Sequence, residues 1–326
     1  MDCASAVPLV RAHLSALMTS AAGGRDAIDG RRAWEAVEDA AREACREEGD
    51  RAVMAAILLE REEGLFAFVV ESLMKQGKAT AAIQKEVLKY IAELLEGLGP
   101  TQGTIHAELV TEQCLRIFKS AELDSVKSAT LEPVLVVLGW PLGQAALRSI
   151  DTGKMAVTYQ RAYQTNRKLS ATIKGDILRV LGILFEISPN EFHEGHQFSR
   201  SWLRDECTRV LSVSGSEKLV EALASGAMSA LASALSTEQD SQDTASINAA
   251  YHHVKGTLNP VSVQKQTRYN GVKSGMRLLG MCATRFGWAL VQDAHQLVDW
   301  LAKLRSHHNH GVRDAANQAI NALFQQ

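Results

Sequence analysis

Two histidines near the middle of the chain are the residues best suited to metal chemistry. His193 and His196 stand three positions apart, with Glu191 and Cys207 nearby in the sequence. A zinc site needs three or four ligands that converge in a fixed geometry. Two histidines near a helix start supply half of such a set, so we predict no metal site. A small metal-dependent enzyme using His193 and His196 is the weakest of three functional alternatives.

The sequence shows no nucleophile or nucleotide motif. Gly153 and Lys154 lack the upstream glycines of a phosphate-binding P-loop. The serine-rich run 212–216 is not a Gly-x-Ser-x-Gly elbow, and we interpret it as an inter-helix turn with Ser216 as N-cap. The HRD and DFG motifs of a kinase are also missing. We therefore predict that this chain has no catalytic centre and no bound cofactor.

Two further polar clusters are interpreted as solvated surface. Three histidines and Asn309 occupy the run from His307 to His310, which we predict to be a turn between two helices. Asn309 or His310 would cap the second of these helices. Glu62 and Glu63 lie on a charged helix end with basic neighbours, where a solvated surface explains them better than acid–base chemistry.

Positive charge is concentrated in the second half of the chain. Residues 1–150 carry 16 Lys and Arg against 22 Asp and Glu, a net charge of −6, whereas residues 151–326 carry 19 against 15, a net charge of +4. Two windows, 152–175 and 244–292, contain basic residues and no acid. If the helices that carry them stack side by side, they form a basic stripe suited to a phosphate backbone. The alternative is ordinary drift in surface charge, with Lys and Arg stems covering apolar surface.

The basic windows supply a set of predicted DNA-phosphate contacts. Lys265, Arg268 and Lys273 would cluster near the start of a helix predicted over 267–286, where the helix dipole also favours phosphate. Pairing of Arg268 with an acid from a neighbouring repeat is an equal alternative. The full set is Lys154, Arg161, Arg167, Lys168, Lys255, Lys265, Arg268 and Lys273.

The elements that position these residues are helices. Apolar residues recur at helical spacing along the chain, and strand patterns are absent. The helices form successive pairs of about 40 residues, the usual size of a helical repeat. The predicted pairs are 5–18 with 31–47, 50–76 with 79–98, 104–119 with 124–139, 153–166 with 170–187, 190–213 with 216–236, 246–256 with 267–286, and 288–305 with 311–325.

The last pair, from Asp293 to Phe324, gives the clearest pattern. Both of its helices carry an apolar stripe, and one such pair cannot bury its own apolar face. We therefore predict an all-α solenoid, a HEAT/armadillo-like right-handed superhelix of about seven helix pairs. Residues 1–33 would be an N-terminal helix and Gly-containing loop, and 34–326 the solenoid, acidic to about residue 150 and basic beyond. Residues 236–246 would be a mobile loop.

Three features of the chain bear on its context. Its five cysteines are widely spaced and form no CxxC pair, which is typical of reduced, buried thiols in a cytosolic or nuclear protein. No apolar run is long enough for a transmembrane helix. At the C-terminus, Ile320, Leu323 and Phe324 form an apolar end without the polar cap of a solenoid, as expected of a fragment.

Four collinear segments of the chain resemble a known family. They are Arg61–Gly99, Ile177–Phe192, Arg268–Gly287 and the pair from Asp293 onward. In order and spacing they are similar to the N-terminal helical-repeat region of the DNA-dependent protein kinase catalytic subunits, which belong to the PI3K-related kinases. The resemblance covers about Trp34 to the end of the chain.

The resemblance implies a role in DNA repair. In this family the N-terminal region is a solenoid arm that helps cradle a broken double-stranded DNA end with the Ku heterodimer, in the nucleus, during non-homologous end joining. The kinase domain lies at the far C-terminus and has no counterpart here. The partners implied are DNA ends, a Ku-like heterodimer and the remainder of the kinase polypeptide, with no membrane. The alternative is a free-standing HEAT/armadillo adaptor that binds only protein.

Overall fold

The described part of the chain is helical and contains no strand, which confirms the predicted all-α class. It falls into two compact units, Met1–Asp151 and Thr152–Gln326, each considered by itself. None of the described helices is long and apolar enough to cross a membrane. The structure, a computed structural model, describes residues 3–23, 27–45, 48–73, 77–140, 152–166, 169–188, 200–213, 221–236, 258–259, 263, 270–286 and 294–324.

The helices of the first unit are α1 Cys3–Gly23, α2 Ala27–Ala44, α3 Glu48–Leu58, α4 Leu65–Ser72, α5 Lys78–Gly103, a 3₁₀ turn Thr104–His106, α6 Ala107–Ser120 and α7 Asp124–Leu138. Helices α2, α5 and α7 form a stacked row, and the other helices flank it. This arrangement is typical of a helical repeat, in which one helix of each pair packs on its equivalent in the next pair.

Helices α2 and α5 pack in parallel, and side-chain pairs mark their register. Arg42 near the end of α2 bonds Glu93 of α5 at 2.8 Å, and its guanidinium lies 5.0 Å from the centre of the Tyr90 ring. The same Tyr90 ring meets Trp34 edge to face at 5.5 Å. Because Trp34 and Tyr90 are both buried, the apolar contact holds the two helices together, and the exposed ion pair fixes their alignment.

The single helix predicted over 50–76 is wrong, because the structure divides it into α3 and α4. A turn from Leu59 to Gly64 separates them, with the Gly64 N–H donating to the Glu60 carbonyl at 3.0 Å. A Cβ at Gly64 would overlap that carbonyl oxygen, so the turn closes tightly only around glycine. The chain reversal buries both Leu59 and Leu65, which a straight helix through the charged run 60–63 could not do.

The predicted stop of the next helix at Gly99 is confirmed. Gly99 has φ 68°, in the left-handed region, and Pro100 follows it inside the range assigned to α5. Nothing lies within 4 Å of a Cβ built at Gly99, so the backbone angle and not crowding requires glycine. The regular part of α5 therefore ends near the predicted residue 98.

The helices of the second unit are α8 Thr152–Thr165, α9 Ala171–Ile187, α10 Arg200–Val213, α11 Glu221–Ser236, α12 Asn270–Phe286, α13 Ala294–Leu304 and α14 His310–Phe324. Helices α9, α11, α12 and α14 form the stacked row. Helices α8, α10 and α13 flank α9, α11 and α14 respectively, so the predicted C-terminal pair is confirmed.

The stacked helices of the second unit touch through very small residues near their amino ends. The backbones of Gly175 in α9 and Gly226 in α11 meet so closely that a Cβ at Gly226 would overlap the Gly175 carbonyl. Buried Ser225 of α11 then bonds Ser274 of α12 at 3.2 Å. Each of these residues lies in the second turn of its helix. The helices therefore run in parallel, and their amino ends share one edge of the unit, hereafter the amino edge.

Several aromatic residues and two of the cysteines, which were predicted to be buried thiols, lie in the core. Phe66, Phe68 and Phe185 are buried, whereas Trp202 and Trp300 are half-buried. Cys114 and Cys207 are buried free thiols, and Cys45 is a half-buried one. Beyond Ser236, the predicted mobile loop lies outside the described residues, as do the predicted helix 246–256 and the predicted cap Ser216.

We expect Gly226→Ala to destabilise the protein by about 1–3 kcal/mol, because the added methyl forces two helix backbones apart. The matched control is Gly280→Ala in the same stacked row, where a Cβ would make ordinary contact with Ala322 at 3.5 Å. There the better helix propensity of alanine should stabilise by about 0.5–1 kcal/mol. Urea unfolding followed by circular dichroism measures both, and equal effects would contradict the close backbone contact.

Candidate nucleic-acid interface

Three of the eight predicted phosphate contacts lie among the described residues. Lys154 and Arg161 are on the flanking helix α8, and Lys273 is in the first turn of the stacked helix α12. The described members of the set therefore lie on two different helices of the second unit, one flanking and one stacked. The remaining predicted contacts, Arg167, Lys168, Lys255, Lys265 and Arg268, lie outside the described residues.

Lys154 and Arg161 share one exposed face of α8. Seven residues are close to two full turns, so the two side chains project in nearly the same direction. The opposite face of α8 is anchored by Met155, Tyr159 and Tyr163, all buried. A helix held in this way can present two cations about 10 Å apart along its axis, as the rise per residue requires.

Lys273 reaches from α12 to the start of α14. A Cβ at Gly311 would lie 2.7 Å from both Cε and Nζ of Lys273, so its ammonium rests directly over the Gly311 backbone. The absence of a side chain at Gly311 is what allows this approach. Lys273 is half-exposed and has no carboxylate partner among the described residues. Its charge is therefore added to the positive end of the α14 dipole.

The turn before α14 is fixed by its own side chains. The Asn309 Oδ1 accepts a hydrogen bond from the Val312 N–H at 3.2 Å, so the prediction that Asn309 or His310 caps this helix is confirmed for Asn309. Arg313 donates from Nη1 to the carbonyls of His307 and His308, both at 2.9 Å. Its guanidinium thus closes the turn through neutral acceptors and keeps its positive charge.

Positive charge exceeds negative charge at this corner of the amino edge. Lys273 and Arg313 are cationic, and Asp314 is the one carboxylate described there, lying 2.8 Å from His310 Nδ1. Burial lowers the pKa of His307, and the nearby His308 and Arg313 lower it further, which favours the neutral imidazole. Two helix N-termini and two cations therefore meet here, a combination suited to phosphate.

Sequence reasoning missed Arg313 and the histidine turn as parts of this cationic corner. The turn was predicted to be solvated, which explains its composition but not its neighbours. The sequence signal that could have located this corner was the predicted stacking of equivalent helices in successive repeats. If equivalent helices of successive repeats are parallel, the first turn of α12 lies beside the first turn of α14, and Lys273 lies beside Gly311.

One cation of the first acid-free window is compensated by an acid from another helix. Lys174 Nζ lies 5.7 Å from the centre of the Tyr163 ring, and Tyr163 donates its hydroxyl to Glu206 of α10 at 2.6 Å. Arg209 also donates to Glu206, from Nε at 2.8 Å. Burial raises the pKa of Glu206, but the bonds from Arg209 and Tyr163 and the charges of Arg209 and Lys174 outweigh it, and the pKa is lowered.

The second window contains a similar compensation. Arg277 of α12 pairs with Glu186 of α9 at 3.0 Å, and Ser233 of α11 donates to the same carboxylate at 2.9 Å. Three stacked helices are thus tied together by one acid. Neither Lys174 nor Arg277 belongs to the predicted contact set, and the structure gives both of them a structural partner.

The other chemistry weighed from sequence finds no site in the described residues. His193, His196 and Glu191 lie outside the described part of the chain, and burial raises the pKa of the Cys207 thiol. Within the described ranges, no three potential metal ligands gather. Gly153 and Lys154 are in the first turn of α8 and not in a loop.

Comparison with known proteins places the chain in a family context. Residues 52–326 match the family model described as "DNA-PKcs, N-terminal". The chain is 21% identical over 273 residues to the DNA-dependent protein kinase catalytic subunit of Xenopus laevis, 23% over 283 residues to that of Mus musculus and 22% over 291 residues to that of Canis lupus familiaris. The aligned parts cover 83%, 85% and 86% of this chain but only 6%, 7% and 7% of those proteins.

Among solved structures, a crystal structure of an engineered protein aligns over 96% of this chain and 98% of its own, with 13% identity and a TM-score of 0.30. A TM-score this low adds nothing to the fold described above.

We expect Glu206→Gln to destabilise the protein near pH 7 by about 1–3 kcal/mol, because it weakens the bonds from Tyr163 and Arg209. The lowered pKa of Glu206 means that its contribution is present above the unfolded value of 4.5 and is lost as the pH falls through the folded value. The difference between the two proteins in urea unfolding should therefore shrink on acidification.

The matched control for this test is Asp205→Asn, the neighbouring residue on α10. Asp205 is 69% exposed and pairs with Arg204 at 3.2 Å, so its removal should change stability by less than about 0.5 kcal/mol. A Glu206→Gln effect as small as the Asp205→Asn effect would contradict a structural role for the cluster.

Proposed function

This chain belongs to the DNA-PKcs N-terminal family, and on that premise we propose that it serves as an N-terminal scaffold segment of a DNA-dependent protein kinase catalytic subunit. In this role it contacts the ends of double-stranded DNA during repair by non-homologous end joining. The observation that carries the proposal is the family match over residues 52–326. The positive corner of the amino edge supports it with a surface suited to phosphate.

We propose that the segment acts in the nucleus and has no catalytic role of its own. Its partners are DNA ends, a Ku-like heterodimer and the remainder of a kinase polypeptide, which carries the kinase activity. The family model that matches describes the N-terminal part of these proteins, which supports a scaffold role for this segment. Those relatives are named as catalytic subunits of a protein kinase, which supports the proposal that this segment belongs to a larger kinase polypeptide.

Contact with DNA would be made to phosphates and not to bases. At the amino edge, Lys273 and the amino ends of α12 and α14 present positive charge, and Arg313 is held beside them. Phosphate contacts of this kind position a duplex without reading its sequence. This suits a protein that must accept any broken end.

The exposed face of α8 would provide a second contact. Lys154 and Arg161 are spaced along one helix face, and their arrangement matches the repeating charge of a nucleic-acid strand better than a single pocket.

A HEAT/armadillo adaptor that binds only protein is the second candidate. The observation favouring it is the net charge of −6 over residues 1–150, which disfavours DNA on that part of the chain.

We expect the triple variant Lys265→Gln, Arg268→Gln and Lys273→Gln to weaken binding to a fluorescein-labelled blunt DNA duplex by about tenfold at low salt. The slope of log affinity against log salt concentration should fall by about one for each phosphate that the variant no longer neutralises. Fluorescence anisotropy at several salt concentrations, with and without Ku, measures both quantities.

The matched control is Arg116→Gln, Lys119→Gln and Lys127→Gln, which removes the same number of Lys and Arg charges from helices α6 and α7 of the first unit. This control should leave the DNA affinity within about twofold of the original. An equal weakening in the two triple variants would show that only net charge matters, and binding unchanged in both would favour the protein adaptor.

A further inference from the structure

A groove in the first unit has a chemistry that the proposed DNA role does not use. It has a volume of about 220 Å³ and lies between α1 and the turn that joins α3 to α4. Its apolar lining comes from Leu14 and Met18 of α1 and Ile57 of α3. We call it the α1 groove.

Three glutamates of the α3–α4 turn give the groove a negative rim. Glu60, Glu62 and Glu63 all line it, and the one cation among its described lining residues is Arg11, which lies 3.6 Å from Glu60. Glu62 and Glu63 are exposed and have no ion pair among the described residues. Together with Arg11, the three carboxylates leave a net charge of −2 at the mouth of an apolar cavity.

The fold of the turn keeps this charge uncompensated. The one basic residue of the turn, Arg61, is directed to Glu112 of α6 at 2.6 Å and is not part of the groove. Gly64 closes the turn against the Glu60 carbonyl, so the path from Glu60 to Glu63 is fixed by backbone contact. The backbone that carries the three glutamates is therefore set before any partner arrives, which lowers the entropic cost of ordering the turn on binding.

From this combination we propose that the α1 groove is a docking site for a Lys- or Arg-bearing amphipathic segment of a protein partner. The aliphatic stem of a basic side chain would lie on Met18 and Ile57, and its cation would meet Glu62 and Glu63. Lysine and arginine bury apolar stems while their charged ends stay at the rim, and the groove offers both surfaces. The net charge of −6 over residues 1–150 would steer such a partner to this unit. The proposal does not depend on DNA binding.

The test uses the full chain and three labelled peptides. The first has Lys and Leu at helical spacing, the second has Glu in place of Lys, and the third has Ser in place of Leu. Fluorescence anisotropy should show that the Lys/Leu peptide binds and that the other two bind at least about tenfold more weakly, because each lacks one of the two matching chemistries.

The variant Glu62→Gln with Glu63→Gln should weaken Lys/Leu peptide binding by about tenfold. Its matched control is Glu96→Gln with Glu122→Gln, two exposed glutamates of the same unit that do not line the groove. The control should stay within about twofold of the original chain. Circular dichroism confirms that both variants fold.

Three results would each overturn the proposal: no binding of the Lys/Leu peptide, an equal weakening in the two double variants, or equal binding of the Lys/Ser peptide. The last two would mean a general attraction between a basic peptide and an acidic surface, without a groove.

Discussion

The close contact between parallel stacked helices is the constraint from which the second unit is built. Gly175 and Gly226 bring the backbones of α9 and α11 together, and Ser225 and Ser274 join α11 to α12 at the same level. Because these contacts lie near the helix starts, they align the amino ends at one edge. The positive ends of the helix dipoles then add together with Lys273, so a packing requirement of small residues also creates the electrostatic character of that edge.

The first unit achieves its stacking by different means. Large side chains, Trp34 and Tyr90, fill the interface between α2 and α5, and an exposed Arg42–Glu93 pair sets the register. The α3–α4 turn then interrupts the flanking layer, where Gly64 permits a chain reversal that no other residue would allow without a shift. The same turn concentrates carboxylates beside an apolar groove. In each unit, the contacts that pack the helices also set the charge of one surface. That surface is negative in the first unit and positive at the amino edge of the second.

Ion pairs and hydrogen bonds between helices make the charge of the folded surface differ from the charge counted along the sequence. Glu186 serves both Arg277 and Ser233, and Glu206 serves both Arg209 and Tyr163 beside Lys174. Each acid lies outside the basic window that it neutralises. A window that contains no acid in the sequence therefore still has an acid beside it in the folded chain. At the amino edge, Arg313 is bonded to backbone carbonyls and Lys273 lies over a glycine, so neither charge is offset by an ion pair with a described carboxylate. Such cations are the ones available to a polyanion.

The sequence by itself determined the all-α class and the C-terminal pair, because helical periodicity and glycine stops are local signals, and in these places packing agrees with them. It predicted the end of α5 at Gly99 and the cap at Asn309 for the same reason. The tertiary structure alone decided that 50–76 is two helices, because the free energy that favours the break comes from burying Leu59 and Leu65 against other helices. It alone decided which cations are paired, since Lys174 and Glu206 lie 32 positions apart in the chain and meet only when α8, α9 and α10 pack.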